Sequence, residues 1–204
     1  PLAVIRRWAQ DPFIADNSRG LFHVGDSTGQ ALSLADTLRG EERRQWMELN
    51  QALWPADVMR LSQAFLKHFP RSEARMNVLL GWRGATSAHL ALQRRDLKLM
   101  RAGFEVPADQ ASLQANEDLH RASRGDKDAA TRLGRVYRQS QTQRALFRHE
   151  AWMMFATALG SGVACHELAQ FYAAQGQAVL AAAAQAKALE LVYQPASGLP
   201  PYRK

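Results

Sequence analysis

Cysteine is almost missing from this chain: one, Cys165, in 204 residues. A lone thiol excludes an internal disulfide framework and any cysteine-rich zinc module. It does not separate a reducing from an oxidising compartment. No run of about 18 apolar residues exists, so no transmembrane helix is expected. Strand patterning is also scarce. Nothing alternates with period two over a useful length, and the one β-like stretch is Leu21-Phe22-His23-Val24. Neither glycine-rich phosphate loop, GxxxxGK or GxGxxG, is present. No carboxylate pair stands out for acid/base work. Proline is absent between Pro107 and Pro195. Because proline breaks helix interiors, that gap permits several helices.

What is there belongs to a globular chain. Apolar residues make up 47% and charged residues 22%, the balance of a packed domain rather than a disordered tail. The length suits one good core or two small ones. An all-α fold of about eight to ten helices is expected. Residues 1–32 read as a mixed or loop segment with a short helix near 2–9. Residues 33–110 read as helical, with room for degenerate repeats, and 195–204 as a proline-containing tail. Ser33 or Asp36 is placed to cap a helix running to about residue 53. Val58, Leu61, Ala64 and Phe65 mark another over 56–68. Ser72 starts one through Leu80. From Ala85, the residues Ala88, Leu92, Leu99 and Met100 predict a helix stopped at Gly103, ahead of Pro107. A further helix is expected over 111–124.

The strongest signal is a recurrence over 111–194. Ala129-Ala130-x-x-Leu133-Gly134-x-x-Tyr137 is matched, 35 residues on, by Ala164-Cys165-x-x-Leu168-Ala169-x-x-Tyr172. Helical periodicity puts Ala, Leu and Tyr on one face. The small residue after Leu admits a neighbouring helix backbone, and the tyrosine hydroxyl can reach water. Each such helix is followed by a second, Arg144 to Leu159 and Ala178 to Val192. A pair of this length cannot bury its apolar face alone and must stack. The stretch from Gly125 to Pro195 resembles Sel1-like repeats, relatives of the tetratricopeptide repeats. Ala151, Trp152, Ala156, Ala158, Gly160 and Gly176 extend the resemblance, and Leu97, Met100, Ala102 and Gly103 read as the tail of an earlier, degenerate copy. The second copy departs from the pattern, with Cys165 at a usual Ala and Ala169 at a usual Gly. The resemblance implies stacked antiparallel helix pairs in a right-handed α/α solenoid of Sel1-like or tetratricopeptide-like type. It further implies a non-catalytic protein that holds a protein partner as an adaptor or scaffold, in bacteria often near secretion or the envelope.

Charge is uneven. Lys and Arg number 26 against 19 Asp and Glu, and residues 94–148 hold 12 of the basic and 7 of the acidic side chains. Arg132, Arg135 and Arg138 recur every three residues, preceded by Arg121, Arg124 and Lys127 at the same interval. Arginine grips carboxylates and phosphates bidentately, so Arg121, Arg124, Arg132, Arg135 and Arg138 are the candidate surface for an acidic protein partner. The bland alternative is a solvated helical face. An inhibitor or immunity protein that blocks a secreted toxin is a narrower form of the same reading. Nucleic-acid binding by 94–148 is disfavoured, because no aromatic residues interleave with the stripe.

Enzymatic readings are weaker. Gly25-Asp26-Ser27-Thr28-Gly29 fits the GxSxG nucleophile elbow, but that turn needs βα units downstream and this chain offers helices. A helical-cleft enzyme using Ser27 therefore stays an alternative. His149-Glu150 and His166-Glu167 lack the second histidine of a zinc helix, since Met153 and Gln170 stand four residues on. His149 reads as a surface or helix-start residue and Cys165 as a small buried one. No metal, cofactor or catalytic residue is assigned. Among five tryptophans, Trp54 and Trp82 are the ones placed for partial exposure. The first residue is Pro1, and a removed leader leaves no trace; bacterial cytoplasm and periplasm both stay open.

Overall fold

The computed structural model describes residues 23–25, 31–97, 99–106, 111–138 and 142–191. The expected helix at 2–9, Ser27 and the tail from Pro195 lie outside them. The described part is helical apart from one short hairpin. Strand β1 (His23–Gly25) pairs antiparallel with β2 (Ala31–Ser33), with Val24 opposite Leu32. Three-residue strands carry too little alternation to be read from sequence. After α1 (Leu34–Thr37) come eight helices of 11 to 18 residues: α2 (Gly40–Gln51), α3 (Pro55–His68), α4 (Arg75–Leu92), α5 (Leu113–Ser123), α6 (Lys127–Arg138), α7 (Gln143–Ala158), α8 (Gly162–Ala174) and α9 (Ala178–Glu190). Consecutive helices pack on one another along the chain. Among the described residues no helix is long and apolar enough to cross a membrane.

Three boundaries differ from the sequence reading. The helix expected from Ser33 or Asp36 to residue 53 is two helices, broken at Leu38-Arg39. The break expected at Gly81-Trp82-Arg83-Gly84 is instead the middle of α4, which runs unbroken over 18 residues. The helix expected to reach Gly103 stops at Leu92. Leu99 and Met100 are irregular, and Arg101–Gly103 form a single 3-10 turn.

Two apolar cores share α4. The first gathers Leu34, Trp46, Leu49, Val58, Phe65 and Val78, and ends at Ala85. The second begins one turn later at Ala88 and holds Leu119, Leu133, Trp152, Phe155 and Leu168. Phe104 drives into this second core, 4.7 Å from the Trp152 ring and edge-on to Trp54 at 5.6 Å. Buried aromatic clusters of this kind anchor the segment that carries them. The stretch read as a helix stop is therefore a packing anchor. Tyr137 donates its hydroxyl proton to the Glu105 carbonyl at 2.7 Å and fastens the same segment.

The 35-residue recurrence is visible in the backbone. Lys127 and Gly162 start α6 and α8, while Gln143 and Ala178 start α7 and α9, so both pairs are offset by 35. The turns ahead of them match bond for bond. Asp126 N donates to Arg121 O and Ser161 N to Ala156 O, while Gly125 and Gly160 take positive φ of 83° and 92°. This is the glycine helix stop in which a left-handed residue frees the next amide to reach back. The side chain after each glycine then caps the new helix. Asp126 accepts from Ala129 N at 3.0 Å, and Ser161 from Ala164 N at 3.2 Å. The small residue after Leu admits a side chain rather than a backbone. A Cβ on Gly134 would lie 3.0 to 3.2 Å from three Met153 atoms. One repeat later the same positions are Ala169 and Ala188, both buried, so a glycine–methionine pair gives way to two alanines.

Candidate partner interface

The arginines singled out by their spacing lie in different environments. Arg132 lies across Asp118 of α5, with Nε 2.9 Å from Oδ2 and Nη2 2.6 Å from Oδ1. Asp118 is 3% exposed, and Gln114 also donates to it at 3.2 Å. A carboxylate so deep needs that fork, because an unpaired buried charge is costly. Arg121 turns back on Asp126, at 2.6 Å. That contact, with the amides of Ala129 and Asp128, holds the Asp126 carboxyl below its usual range although burial pushes it up. Arg124 does not face outward. Its Nη2 donates to Leu49 O at 2.9 Å, and its Nη1 to His120 O at 3.0 Å and Ser123 Oγ at 2.8 Å. Burial lowers its pKa to about 10. Beside it, a cavity of about 10 Å³ is lined by Trp46, Val58, Ser62 and Gly81.

Arg135 and Arg138 remain toward the surface. Arg135 reaches across to Glu167 of α8 with Nε at 2.8 Å, and its side chain keeps 50% of its exposure. Arg138 feels Glu167 and Arg135 but is partly desolvated, and burial lowers its pKa. Two further arginines gather at this end of α6. Arg148 pairs with Glu105 and lies 5.5 Å over the Tyr137 ring. Exposed Arg144 contributes to the field at the Tyr137 hydroxyl. Phe147 of α7 is 47% exposed. Spacing within α6 missed Arg144, Arg148 and Phe147, because they sit on the next helix, which packs against α6. The stripe is therefore two things. Arg121, Arg124 and Arg132 hold α5 and α6 to their neighbours, whereas Arg135 and Arg138 lie near Glu167 of α8 and Arg144 and Arg148 near the Tyr137 hydroxyl.

His149 is a correction. It is 1% exposed, not a surface residue. Its Nδ1–H donates to Gly134 O at 2.8 Å, and Phe171 meets its ring edge-on at 5.0 Å. Burial lowers its pKa most. Arg138 adds to that, while the Gly134 bond, Glu167 and Glu150 oppose it. His120 is lowered too, by burial and by Arg124. A histidine held neutral in the fold takes up its proton only on unfolding. Stability is then full above the ordinary pKa of about 6.5 and falls as pH drops through it toward the folded value. The melting temperature is expected to be lower at pH 5.5 than at 7.5, and His149→Gln should shrink that difference. An unchanged difference would mean His149 titrates alike in both states.

Cys165 is fully buried, with Thr157 Oγ1 3.4 Å from its Sγ. The tyrosine hydroxyls expected near water find protein acceptors, Tyr172 donating to Glu150 Oε1 at 2.7 Å. Trp54 and Trp82 are half-buried, as their positions suggested. Among the described residues, no three His, Cys, Asp or Glu side chains group so as to hold a metal. Compared with family models, with curated proteins and with solved structures, the chain matches none.

Proposed function

We propose that this chain is a non-catalytic helical-repeat protein, of the Sel1-like and tetratricopeptide-related kind, that holds an acidic segment of a protein partner. An adaptor or scaffold role in bacteria follows from the same resemblance. Two features support the reading. The capped turn ahead of α6 returns 35 residues later ahead of α8, and the starts of α6 and α7 return at the starts of α8 and α9, as stacked repeat units would require. The second feature selects the surface and carries the partner chemistry: Arg135 and Arg138 stand near the end of α6, and Arg144 and Phe147 are exposed near the start of α7, on two helices that pack together. Exposed guanidinium groups and an exposed aromatic on one helix pair suit an acidic peptide with an apolar anchor.

Charge reversal at Arg132 would confuse the test, because it strands Asp118. Arg138→Glu with Arg144→Glu is the cleaner variant. A glutamate-rich peptide carrying one leucine serves as probe, followed by amide shifts. Shifts should gather at residues 135–148, weaken with salt, and fall at least tenfold in affinity for the double variant. Shifts scattered elsewhere, or an affinity indifferent to the substitutions, would reject this surface.

A further inference from the structure

Helix α9 is apolar nearly all round, with Gln185, Lys187 and Glu190 its only polar residues. Such helices are ordinarily buried. Yet Ala188 alone is buried here, while Val179 is 82%, Leu189 62% and Leu180 47% exposed. Ala182, Ala183 and Ala186 are exposed between them. The inner face of α9 packs on α8. The outer face lacks the polar cover that a terminal repeat needs in water. It is the face of an internal repeat, left without a neighbour among the described residues.

We infer that a second copy of this chain covers that face, through an antiparallel α9–α9 pair about a two-fold axis. Electrostatics selects the direction. The stripe at i, i+4, i+7 and i+11 is Val179, Ala183, Ala186 and Glu190. Antiparallel pairing sets Ala183 of one copy against the partner's Ala186, where small side chains let the backbones approach. It also sets each Glu190 against the start of the other α9. That start has no side-chain cap on its amides, and a carboxylate there meets the positive end of the helix dipole. Lys187 pairs with Glu190 at 2.6 Å within its own helix, an exposed pair that weakens the charge of the carboxylate without cancelling it. A parallel pair would instead oppose Glu190 to Glu190. The symmetric contact uses one patch twice, as two-fold interfaces do. A face only about 20 Å long lies at the small end of specific interfaces, so a dimer in the micromolar range is expected.

Sedimentation of the full chain over a wide concentration range tests the proposal. The weight-average mass should rise toward twice the monomer, and Ala183→Glu should hold it at the monomer with its helical circular dichroism intact. Orientation is read by cross-linking. Val179→Cys mixed with Glu190→Cys should form a mixed disulfide, whereas Val179→Cys alone should not, because antiparallel geometry separates the two 179 positions by about 16 Å. A monomer at every concentration overturns the proposal, including one that dimerises only after removal of residues 192–204, which would name that segment as the cover. A dimer indifferent to Ala183→Glu, or self-linked through Val179→Cys, overturns it as well.

Discussion

Gly84→Ala is expected to destabilise the protein by about 3 kcal/mol, while Gly81→Ala, one turn earlier in the same helix, is expected to stabilise it slightly. Intrinsic propensity favours both changes, since alanine in a helix interior is better than glycine by roughly 1 kcal/mol. Space decides between them. A Cβ on Gly84 would sit 1.9 Å from the Arg124 carbonyl oxygen. That neighbour is backbone and has no rotamer to change. Its chain continues into Gly125, where a Cβ would in turn lie 2.6 Å from the Gly84 carbonyl. The two backbones thus cross at a pair of glycines, where α4 carries the first core into the second. Opening that crossing by more than an ångström would loosen both cores together, well beyond the propensity gain. At Gly81 the nearest atom is Arg124 Nε at 4.0 Å, an ordinary contact. There the methyl group enters the side of an existing cavity. For a chain of this size the Gly84 variant should melt roughly 6–12 °C lower. Equal shifts of the same sign for the two variants would show that helix propensity, not the crossing, sets their effect.

The crossing also explains what could be read from the residues and what could not. The α6 to α9 region was legible because its signals are local: alanine, leucine and tyrosine at helical spacing, and glycine followed by Asp or Ser ahead of α6 and α8. α4 was not, because a glycine inside a helix reads as a break unless the backbone that needs its missing side chain is known. That backbone, at Arg124 and Gly125, lies about 40 residues away. Phe104 was misread for a related reason: glycine followed by proline is a helix-stop pattern, but α4 already ends at Leu92, and nothing nearby announces the Trp54 and Trp152 rings that receive the side chain. The arginine stripe was legible as a set of positions and not as a surface. Spacing puts arginines along one band. It cannot say that Asp118 waits 14 residues before Arg132, or that Glu167 waits 32 after Arg135. Arg144, Arg148 and Phe147 entered the candidate interface only when the fold brought α7 beside the end of α6.

Arg124→Met is expected to cost about 2–4 kcal/mol, because the buried guanidinium bridges the ends of two helices through several hydrogen bonds at once. Its acceptors are the carbonyls of Leu49 and Ala52, where α2 stops, and of His120, near the end of α5. Helix C-termini carry partial negative charge, so two of them balance a cation that pairs with no carboxylate among the described residues. Methionine keeps the apolar stem and removes the charge, which separates the bonds from the packing. Arg124→Lys should recover only part of the loss. Its ammonium keeps the charge but cannot reach both helix ends as the planar fork does. Denaturant midpoints should therefore fall in the order wild type, Lys, Met, with the slope of the transition unchanged. A Met variant as stable as wild type would mean that water serves those carbonyls equally well. Combined with Gly84→Ala, the losses should be less than additive, because the backbone crossing and the guanidinium bridge close the same joint and it can open only once.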